Sequence, residues 1–352
     1  MKFLILTALE GPERQEVKKL MGETTVDFHP VTKTDYYIGQ LTKHGVHQVY
    51  LGRTDQTNVN AGIETERAIQ HFKPDYVFFL GVAGGLKDVK IGDIVIGKDV
   101  YGYEKGKATD KGFLPRPNFG FSSYEMERIA NLYAHADEWK TIVAENKNEN
   151  FDGSLVEVFA GTIAAGEKVD SSELSDLHKF LKINCSHALA IEMEGLGFLE
   201  VCRQHPQVKA LLIRGISDLV ENKSTADSSG SQNFASLNAA KFLFGLIDFV
   251  LTNNATSKND SLDKDEKALI LKAARELYPS GLKENSIWER AGGDLSKIAL
   301  FGINGKTQWF EAFQLIEKGG AGRLTFKTLS QAMLDDYGDS PELLMILKKL
   351  AN

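Results

Sequence analysis

The sequence predicts an α/β fold, in which a mixed β-sheet is flanked by helices, followed by a small all-α helical bundle. Two observations lead to this prediction. Over residues 1–252, short apolar or β-branched runs alternate with amphipathic helical patterns, as expected for the strands and helices of an α/β sheet. Over residues 263–352 the pattern is almost entirely helical, with short glycine turns.

Each strand is predicted from a continuous apolar or β-branched run, and each helix from apolar residues at helical spacing. The predicted strands lie at 2–9, 36–52 (two strands around a turn at His44 and Gly45), 75–85, 92–104, 154–166, 187–193 and 208–218. The predicted helices lie at 12–21, 60–72, 170–181, 194–205 and 231–251. Asp170 and Glu173 have the spacing of a capping box at the start of one helix.

The domain boundary is predicted from a change in pattern. Residues 1–252 form the α/β domain. Residues 253–262 lie in a polar stretch without periodicity, which predicts a linker. Residues 263–352 form the helical bundle, and Asp263 and Glu266 have capping-box spacing at its start.

The composition excludes several classes of function. A net charge of −7 without a block of Lys and Arg argues against a nucleic-acid partner. Cys185 and Cys202 have no metal-ligand spacing, and His44 and His47 lack further clustered ligands, so no metal is expected. No signal peptide is recognised and no stretch approaches the length of a transmembrane helix, so we expect a cytoplasmic protein with no membrane partner.

Glycines follow one predicted strand, in the stretch LGVAGG. Ligands of α/β folds bind at the carboxyl ends of strands, where glycines let the backbone approach them. We therefore expect Val82, Ala83 and Gly84 to contact a ligand, with a plain turn as the alternative. The stretch is not GxGxxG, so no dinucleotide is expected, and no other cofactor is predicted.

Carboxylates end two further predicted strands. In IRGISD, Asp218 is placed to act as a general acid, with capping of the next turn as the alternative. In AIEMEG, Glu194 is placed to accept hydrogen bonds from two vicinal hydroxyls, such as those of a ribose. The alternative for Glu194 is a residue favoured by a helix dipole, and for Glu192 an exposed strand residue.

A phosphate-loop pattern is absent from the helical region. The stretch FGINGKTQW contains Gly305, Lys306 and Thr307, but the upstream Gly302 is too close for GxxxxGK[ST]. We interpret this stretch as a turn between helices.

The three motifs LGVAGG, AIEMEG and IRGISD, in this order, resemble those of the nucleoside phosphorylase and nucleosidase superfamily. The chain is most similar to the methylthioadenosine/S-adenosylhomocysteine nucleosidase branch and to nucleosidase-like domains of bacterial conflict systems. The resemblance covers residues 1–252 and implies cleavage of a purine N-glycosidic bond without a cofactor.

The resemblance also implies roles for residues of the last two motifs. Asp218 would protonate purine N7, and Ser217 would orient its carboxyl group. Glu194 would bind the ribose diol, Met193 would pack on the sugar, and Glu192 matches the first acid of the motif.

For the base, the resemblance points to two positions after another strand. Val169 and Asp170 fall where the family stacks against the purine and reads its edge, and Val169 replaces a usual aromatic residue.

The hydrolytic branch of this superfamily carries an N-terminal acid that activates water. The corresponding stretch here, TALEGPERQEV, is one residue longer than the family motif. Glu13 is our first choice for this acid, followed by Glu10 and Glu16. The phosphorylase branch has basic residues here, whereas this loop carries only Arg14, so a hydrolase is favoured over a phosphorylase.

Residues 102–121 occupy the place where related enzymes build an apolar pocket for the 5′ substituent. This stretch carries Lys105, Lys107, Lys111 and Arg116. We expect some of these cations to bind a 5′-phosphate of a nucleotide such as AMP or ATP, with a solvated surface loop as the alternative.

The C-terminal region resembles a bacterial effector-associated domain, a small death-fold-like helical adaptor. The residues that carry this resemblance are Trp288, Arg290, Ala291, Gly292, Gly293, Asp294, Trp309, Gly319, Gly320, Gly322 and the final DYGDSPEL. Such domains are thought to pair with like domains, so the resemblance implies a protein partner bearing one. The alternative is a helical appendage that only adds stability.

Together these features predict a partner-controlled purine nucleosidase that acts as an effector in bacterial antiphage defence. The resemblance implies a homo-oligomer in which a neighbour completes the site. A purine nucleoside phosphorylase and a non-catalytic nucleoside sensor are the competing functions.

Overall fold

The computed structural model of the chain describes most residues, in a series of segments. These are residues 1–43, 45–110, 112–147, 149–170, 172, 174–219, 230–259, 262, 264–298, 303–317, 321, 324–338, 340–341 and 343–345. The chain divides into two compact units, Met1–Val250 and Leu251–Asn352. The following predicted features involve positions outside the described residues: the turn at His44, the lysine at Lys111, the capping boxes with Glu173 and Asp263, the turn at Gly302, and the motif glycines Gly319, Gly320 and Gly322.

The first unit is an α/β structure. Its strands are β1 Lys2–Thr7, β2 Thr25–Phe28, β3 Asp35–Leu41, β4 His47–Arg53, β5 Tyr76–Gly85, β6 Ile94–Gly102, β7 Gly106–Thr109, β8 Gly112–Pro115, β9 Asn118–Phe121, β10 Val158–Ala165, β11 Ala190–Glu192 and β12 Lys209–Leu219. Its helices are α1 Gln15–Met21, α2 Asn58–Phe72, α3 Tyr124–Ala134, α4 Glu138–Ala144, α5 Asp176–Asn184, α6 Gly195–Cys202 and α7 Ser231–Asn259, the last of which extends past Val250.

The main sheet is mixed, which confirms the predicted fold class. Its order is β11-β10-β6-β12-β5-β1-β4-β3-β2, with β9 added on β6, while β7 and β8 form a separate hairpin. β12, β5, β1 and β4 run parallel to one another in this series, whereas β12 with β6, β4 with β3 and β3 with β2 are antiparallel. The strands β1, β5 and β12 are buried almost throughout, which explains their continuous apolar runs.

The sheet closes on itself where the site is expected. The short strand β11 pairs with β10 on one side and antiparallel with β5 on the other, with Ile191 opposite Gly84. On the other flank of β5, Asp218 of β12 is also opposite Gly84. The ends of three predicted motifs therefore meet around one glycine, although they are far apart in the sequence.

The second unit is helical around its own apolar core. Its helices are α8 Lys264–Leu277, α9 Ile287–Arg290, α10 Gly305–Glu317 and α11 Phe326–Tyr337. Trp288 and Trp309 are fully buried in this core. Asn304 accepts hydrogen bonds from the backbone N–H and the hydroxyl of Thr307 (3.0 and 3.1 Å). Residues 305–309, which were expected to belong to a turn between helices, therefore begin a capped helix instead.

Helix α7 changes two expectations. It continues to Asn259, so most of the stretch expected to be a linker is helical. The expectation that no stretch approaches the length of a membrane span is wrong, because Ser231–Asn253 is long and apolar enough to cross a membrane. Most of this segment is buried inside the protein, as is usual for a core helix, which accounts for its apolar composition without a membrane.

Candidate active site

A cavity of about 120 Å³ opens at the carboxyl ends of β5, β11 and β12. It is lined by eleven of the twelve site residues predicted from the sequence: Glu13, Val82, Ala83, Gly84, Val169, Asp170, Glu192, Met193, Glu194, Ser217 and Asp218. The remaining lining residues are Ala8, Leu9, Gln56, Lys168, Ile191 and Gln232. The fold thus brings together residues from seven separate parts of the sequence.

Glu13 is carried into the cavity by an unusual turn. Residues Glu10–Arg14 form a π-helical turn, closed by the N–H of Arg14 on the carbonyl of Leu9 (3.0 Å). A π turn holds one more residue than an α turn, so it absorbs the additional residue of this loop. Of the three candidate acids, only Glu13 lines the cavity, because Glu10 pairs with Arg14 (2.9 Å) and Glu16 with Lys19 (2.7 Å).

The Glu13 carboxylate is buried but well supplied with donors. It accepts hydrogen bonds from the backbone N–H groups of Ala8 (2.8 Å), Leu9 (2.8 Å) and Val82 (2.9 Å). Burial raises the pKa of Glu13, against the attraction of Arg214 and these three N–H groups. A carboxylate has about four lone-pair sites, so three donors leave room for one water molecule.

A bulge in β12 sets the direction of Asp218. Ile216 pairs with Ala83 and Asp218 with Gly84, so Ser217 is an additional residue at this point of the strand pair. The Ser217 hydroxyl donates to Asp218 Oδ2 (2.9 Å), while Oδ1 has no hydrogen-bond partner among the described residues. A Cβ on Gly84 would lie 3.2 Å from that oxygen, so the glycine keeps space open beside it.

The two glutamates of the AIEMEG motif have different surroundings, although both are buried. Glu192 accepts hydrogen bonds from the N–H groups of Glu194 (2.9 Å) and Gly195 (2.8 Å) and from Arg214 Nη2. It therefore joins the start of α6 to β12 and is not the exposed strand residue considered as its alternative. Glu194 accepts from the N–H of Thr57 (3.2 Å) and from Arg214 Nη2 (3.1 Å). Burial raises the pKa of Glu194 to about 7, against the attraction of Arg214.

Sequence reasoning missed Arg214, which does not line the cavity itself but donates hydrogen bonds to Glu192 and Glu194. It is fully buried, and its guanidinium carbon lies 4.8 Å from the ring centre of Phe79. The space beside it exists because residue 81 is glycine: a Cβ there would lie 2.0 Å from Arg214 Nη1. An arginine inside the apolar strand pattern LLIRGI was the available signal, because a buried guanidinium needs carboxylate partners.

The base side of the cavity differs from the expectation for Asp170. Its carboxylate is fully buried and is held by the Ser175 hydroxyl (2.7 Å) and His178 Nδ1 (3.1 Å). This carboxylate therefore anchors the loop onto α5, and the Asp170 backbone is what remains to read the edge of a base. Val169 is exposed at the mouth of the cavity and offers only a small apolar contact.

Arg116 is the predicted site residue that the fold leaves outside the cavity. It follows the hairpin of β7 and β8, and its side chain is exposed. Lys107 is exposed on the same hairpin, and Lys105 donates to Asn118 (2.7 Å). Within one chain, these cations do not line the cavity.

Among the described residues, no group of three or more His, Cys, Asp or Glu side chains is arranged to hold a metal ion.

Comparisons with known proteins match the α/β unit. A family model described as the phosphorylase superfamily matches residues 2–248. The 5′-methylthioadenosine/S-adenosylhomocysteine nucleosidase of Buchnera aphidicola is 25% identical over 244 residues, covering 69% of this chain and 96% of that protein. ATP nucleosidase Cap17 of Escherichia coli is 30% identical over 252 residues, covering 64% of this chain and 47% of that protein.

A further relative and a solved structure extend this picture. A death domain-containing ATP nucleosidase of Amphimedon queenslandica is 27% identical over 268 residues, and this chain spans 48% of its length. The crystal structure of the Helicobacter pylori methylthioadenosine/S-adenosylhomocysteine nucleosidase matches with a TM-score of 0.57 and 23% identity, over 70% of this chain and 98% of that one. This structural match supports the fold.

Proposed function

The chain belongs to the phosphorylase superfamily, and from this premise we propose that it hydrolyses the N-glycosidic bond of a purine nucleoside or nucleotide and releases the free base. The observation that carries the proposal is the meeting of Asp218, Glu13 and Glu194 in one cavity. Cleavage of this bond needs an acid for the leaving base, a base for water and a ligand for the sugar.

Asp218 protonates the departing purine. Its Oδ1 is buried without a hydrogen-bond partner among the described residues, so it is available to a substrate, and the Ser217 hydroxyl orients the other oxygen. As the bond between C1′ and N9 breaks, its electron pair moves into the base. The proton from Asp218 neutralises that charge at N7.

Glu13 activates the water. With three N–H donors on its carboxylate, it keeps a fixed orientation and one lone-pair region for a water molecule. The water oxygen bonds to C1′ of the cationic sugar, and Glu13 takes the released proton. One water is consumed, and a free base and a free sugar hydroxyl result.

Glu194 and Met193 bind the sugar. Two donors already hold Glu194, the Thr57 N–H and Arg214, and its remaining lone pairs are available to the ribose diol. The Met193 side chain packs against the sugar ring in the same cavity. Positioning of this kind supplies a large part of the rate in hydrolytic enzymes.

A 5′-phosphorylated nucleotide is the substrate class that we favour. The part of the cavity that is not assigned to base or sugar carries the hydrogen-bond donors Gln56, Lys168 and Gln232. Lys168 Nζ lies 3.4 Å from Glu104 Oε1. Exposed ion pairs of this kind contribute little to stability, so a substrate phosphate can take the place of the Glu104 carboxylate at little cost. Two relatives are named ATP nucleosidases, which agrees with this choice.

We also propose a role in antiphage defence, in the cytoplasm, under the control of a protein partner with a like adaptor domain. The named relatives include a death domain-containing ATP nucleosidase, and this chain carries a separate helical unit after its α/β unit. We propose a homo-oligomer in which a neighbouring copy completes the site. The chain spans about half the length of the ATP nucleosidases it matches. The activity, substrate and partners of the whole protein are therefore part of this proposal.

Chromatography of base and sugar tests the activity. The purified chain is incubated with adenosine, methylthioadenosine, AMP and ATP, with and without inorganic phosphate and a partner. We expect phosphate-independent release of adenine. Asp218→Asn should lower the rate by a factor of about 10²–10⁴, while the exposed Asp137→Asn control should not.

Two results would replace the proposal. Phosphate-dependent release would indicate a phosphorylase. Absence of base release from every purine substrate, with the partner present, would indicate a non-catalytic nucleoside sensor.

A further inference from the structure

The connection between β4 and α2 has a backbone that its residue types disfavour. Asp55 has φ 61° and Thr57 has φ 92°, both in the left-handed region that favours glycine. For the β-branched Thr57 this is a true outlier, and such outliers gather at functional sites. The consequence is visible at Glu194, because the Thr57 N–H points to its Oε1 at 3.2 Å.

The next residue, Asn58, contacts two segments of the chain that each lie next to cavity-lining residues. On one side, its Nδ2 donates to the carbonyl of Gly166 (3.3 Å) and to Glu167 Oε1 (3.2 Å). Its backbone N–H donates to the same Glu167 oxygen (3.2 Å). On the other side, its Oδ1 accepts from the N–H of Gly197 in the first turn of α6 (3.0 Å).

These two contacts reach the two halves of the site. Gly166 and Glu167 belong to the loop that leads to Val169 and Asp170, which line the base side of the cavity. Gly197 lies in the helix that Glu194 begins. The packing here is tight, since a Cβ on Gly197 would lie 1.8 Å from the carbonyl oxygen of Asn58.

The chemistry of this position calls for an amide. A side-chain amide offers donors and an acceptor from one short stem, whereas a carboxylate offers acceptors alone. Asparagine can therefore hold the Gly166 carbonyl and the Gly197 N–H at the same time. Aspartate would keep the link to Gly197, lose the link to Gly166 and face the Glu167 carboxylate.

We propose that Asn58 is a positioning residue that fixes the loop of Val169 and Asp170 relative to the start of α6, where Glu194 lies. The base and the sugar of one substrate molecule are then held in a fixed relative position. This inference rests on the proposed function, because it assigns the two segments to the two halves of a nucleoside. It predicts that Asn58 affects selectivity between substrates as well as rate.

The test compares three substrates in three variants of the full chain. Values of kcat and KM are measured for adenosine, 2′-deoxyadenosine and inosine with Asn58→Ala, Asn58→Asp and, as a control on the same helix, Gln70→Ala. The Gln70 side chain donates a hydrogen bond to its helix neighbour Glu66 (3.0 Å). Circular dichroism and Tm establish that each variant is folded.

We expect Asn58→Ala to lower kcat/KM for adenosine about tenfold and to weaken both preferences, for ribose over deoxyribose and for adenine over hypoxanthine. Asn58→Asp should weaken the preference for adenine and keep the preference for ribose. Gln70→Ala should behave as wild type. An equal loss for all three substrates in Asn58→Ala, or no loss, would overturn the inference, since a purely structural role lowers every substrate alike.

The failure of the proposed function is a separate result. If the wild-type chain releases no base, the affinities for adenosine, 2′-deoxyadenosine and inosine are measured by calorimetry instead. A fall in the affinity ratios in Asn58→Ala supports the positioning role, and unchanged ratios overturn it.

Discussion

Each of the two units of this protein contains an arginine with carboxylate partners, and the two arginines have different surroundings. In the α/β unit, Arg214 is fully buried and is surrounded by the carboxylates of Glu13, Glu192 and Glu194. In the helical unit, Arg290 is 41% exposed and joins α9 to Asp336 of α11 (2.6 Å). Tyr278 also donates to that carboxylate (2.6 Å).

The difference lies in burial and in charge balance. A surface pair such as Arg290 and Asp336 is matched charge for charge and contributes little to stability. The site cluster places three acids around one guanidinium away from water, where charge is expensive. Buried ionisable groups with an excess of one charge are found mainly at functional sites. This identifies the Arg214 cluster as the functional one of the two.

Removal of Arg214 should have the largest effect. Arg214→Leu leaves three buried carboxylates without their cation, so we expect the free energy of unfolding to fall by about 3–5 kcal/mol. We also expect the variant to lose base release. Urea denaturation measures the free energy of unfolding, and chromatography measures base release. Adding Glu192→Leu should recover stability but not activity, and a stability loss below about 1 kcal/mol in the single variant would contradict this reading of the cluster.

A methyl group at Gly81 should disturb the same cluster more gently. In Gly81→Ala the new carbon would lie 2.0 Å from Arg214 Nη1 and 2.5 Å from Glu13 Oε1. Arg214 must move, so we expect a loss of about 1–3 kcal/mol and a lower kcat. Gly11→Ala is the matched control, because its Cβ would meet nothing within 4 Å. Equal behaviour of the two variants would count against the close approach.

The two clusters should respond to pH with opposite sign. Burial raises the pKa of Glu194 from 4.5 to about 7, so the native state binds more protons than the unfolded state in that window. Its contribution to stability therefore falls as pH rises from 4.5 to 7. Hydrogen bonds from Arg290 and Tyr278 lower the pKa of Asp336 below 3.8, so its contribution is present above 3.8 and is lost as pH falls further.

Glu194→Gln tests this difference. It should remove part of the decline between pH 4.5 and 7, and the variant should exceed wild type at pH 8 by about 2 kcal/mol while binding ribose more weakly. Denaturation curves across pH measure the slope, and Asp336→Asn serves as the comparison. If Glu194→Gln has the same slope as wild type, Glu194 does not carry the excess proton.

Arg290→Leu should have the smallest effect. The Arg290 side chain is 41% exposed, so we expect a Tm within about 2 °C of wild type and unchanged base release. Differential scanning calorimetry and the base-release assay measure these. A large loss of activity would mean that Arg290 affects catalysis. It would contradict the proposed difference between Arg214 and Arg290.

Much of the site was predictable because it lies at strand ends. The apolar runs before LGVAGG, AIEMEG and IRGISD predict buried strands, and α/β folds place ligands where such strands end, so Asp218, Glu194 and Gly84 could be named from the sequence. Their common cavity required the closure of the sheet by β11. The polar composition after Leu251 predicted a linker without regular structure. The first residues of this stretch instead continue α7, because polar composition alone does not end a helix.

The sequence by itself determined the alternation of strands and helices and the order of the motifs, because these depend on local hydrophobic pattern. Only the tertiary structure decided which acids share the site and what holds them. Arg214 meets Glu192 and Glu194 across strand ends, and the Glu13 carboxylate is fixed by the N–H of Val82, 69 residues away. The Asp170 carboxylate turns to His178 in the same manner. A buried charge is stabilised by whichever partners the fold brings near, and sequence spacing does not record that proximity.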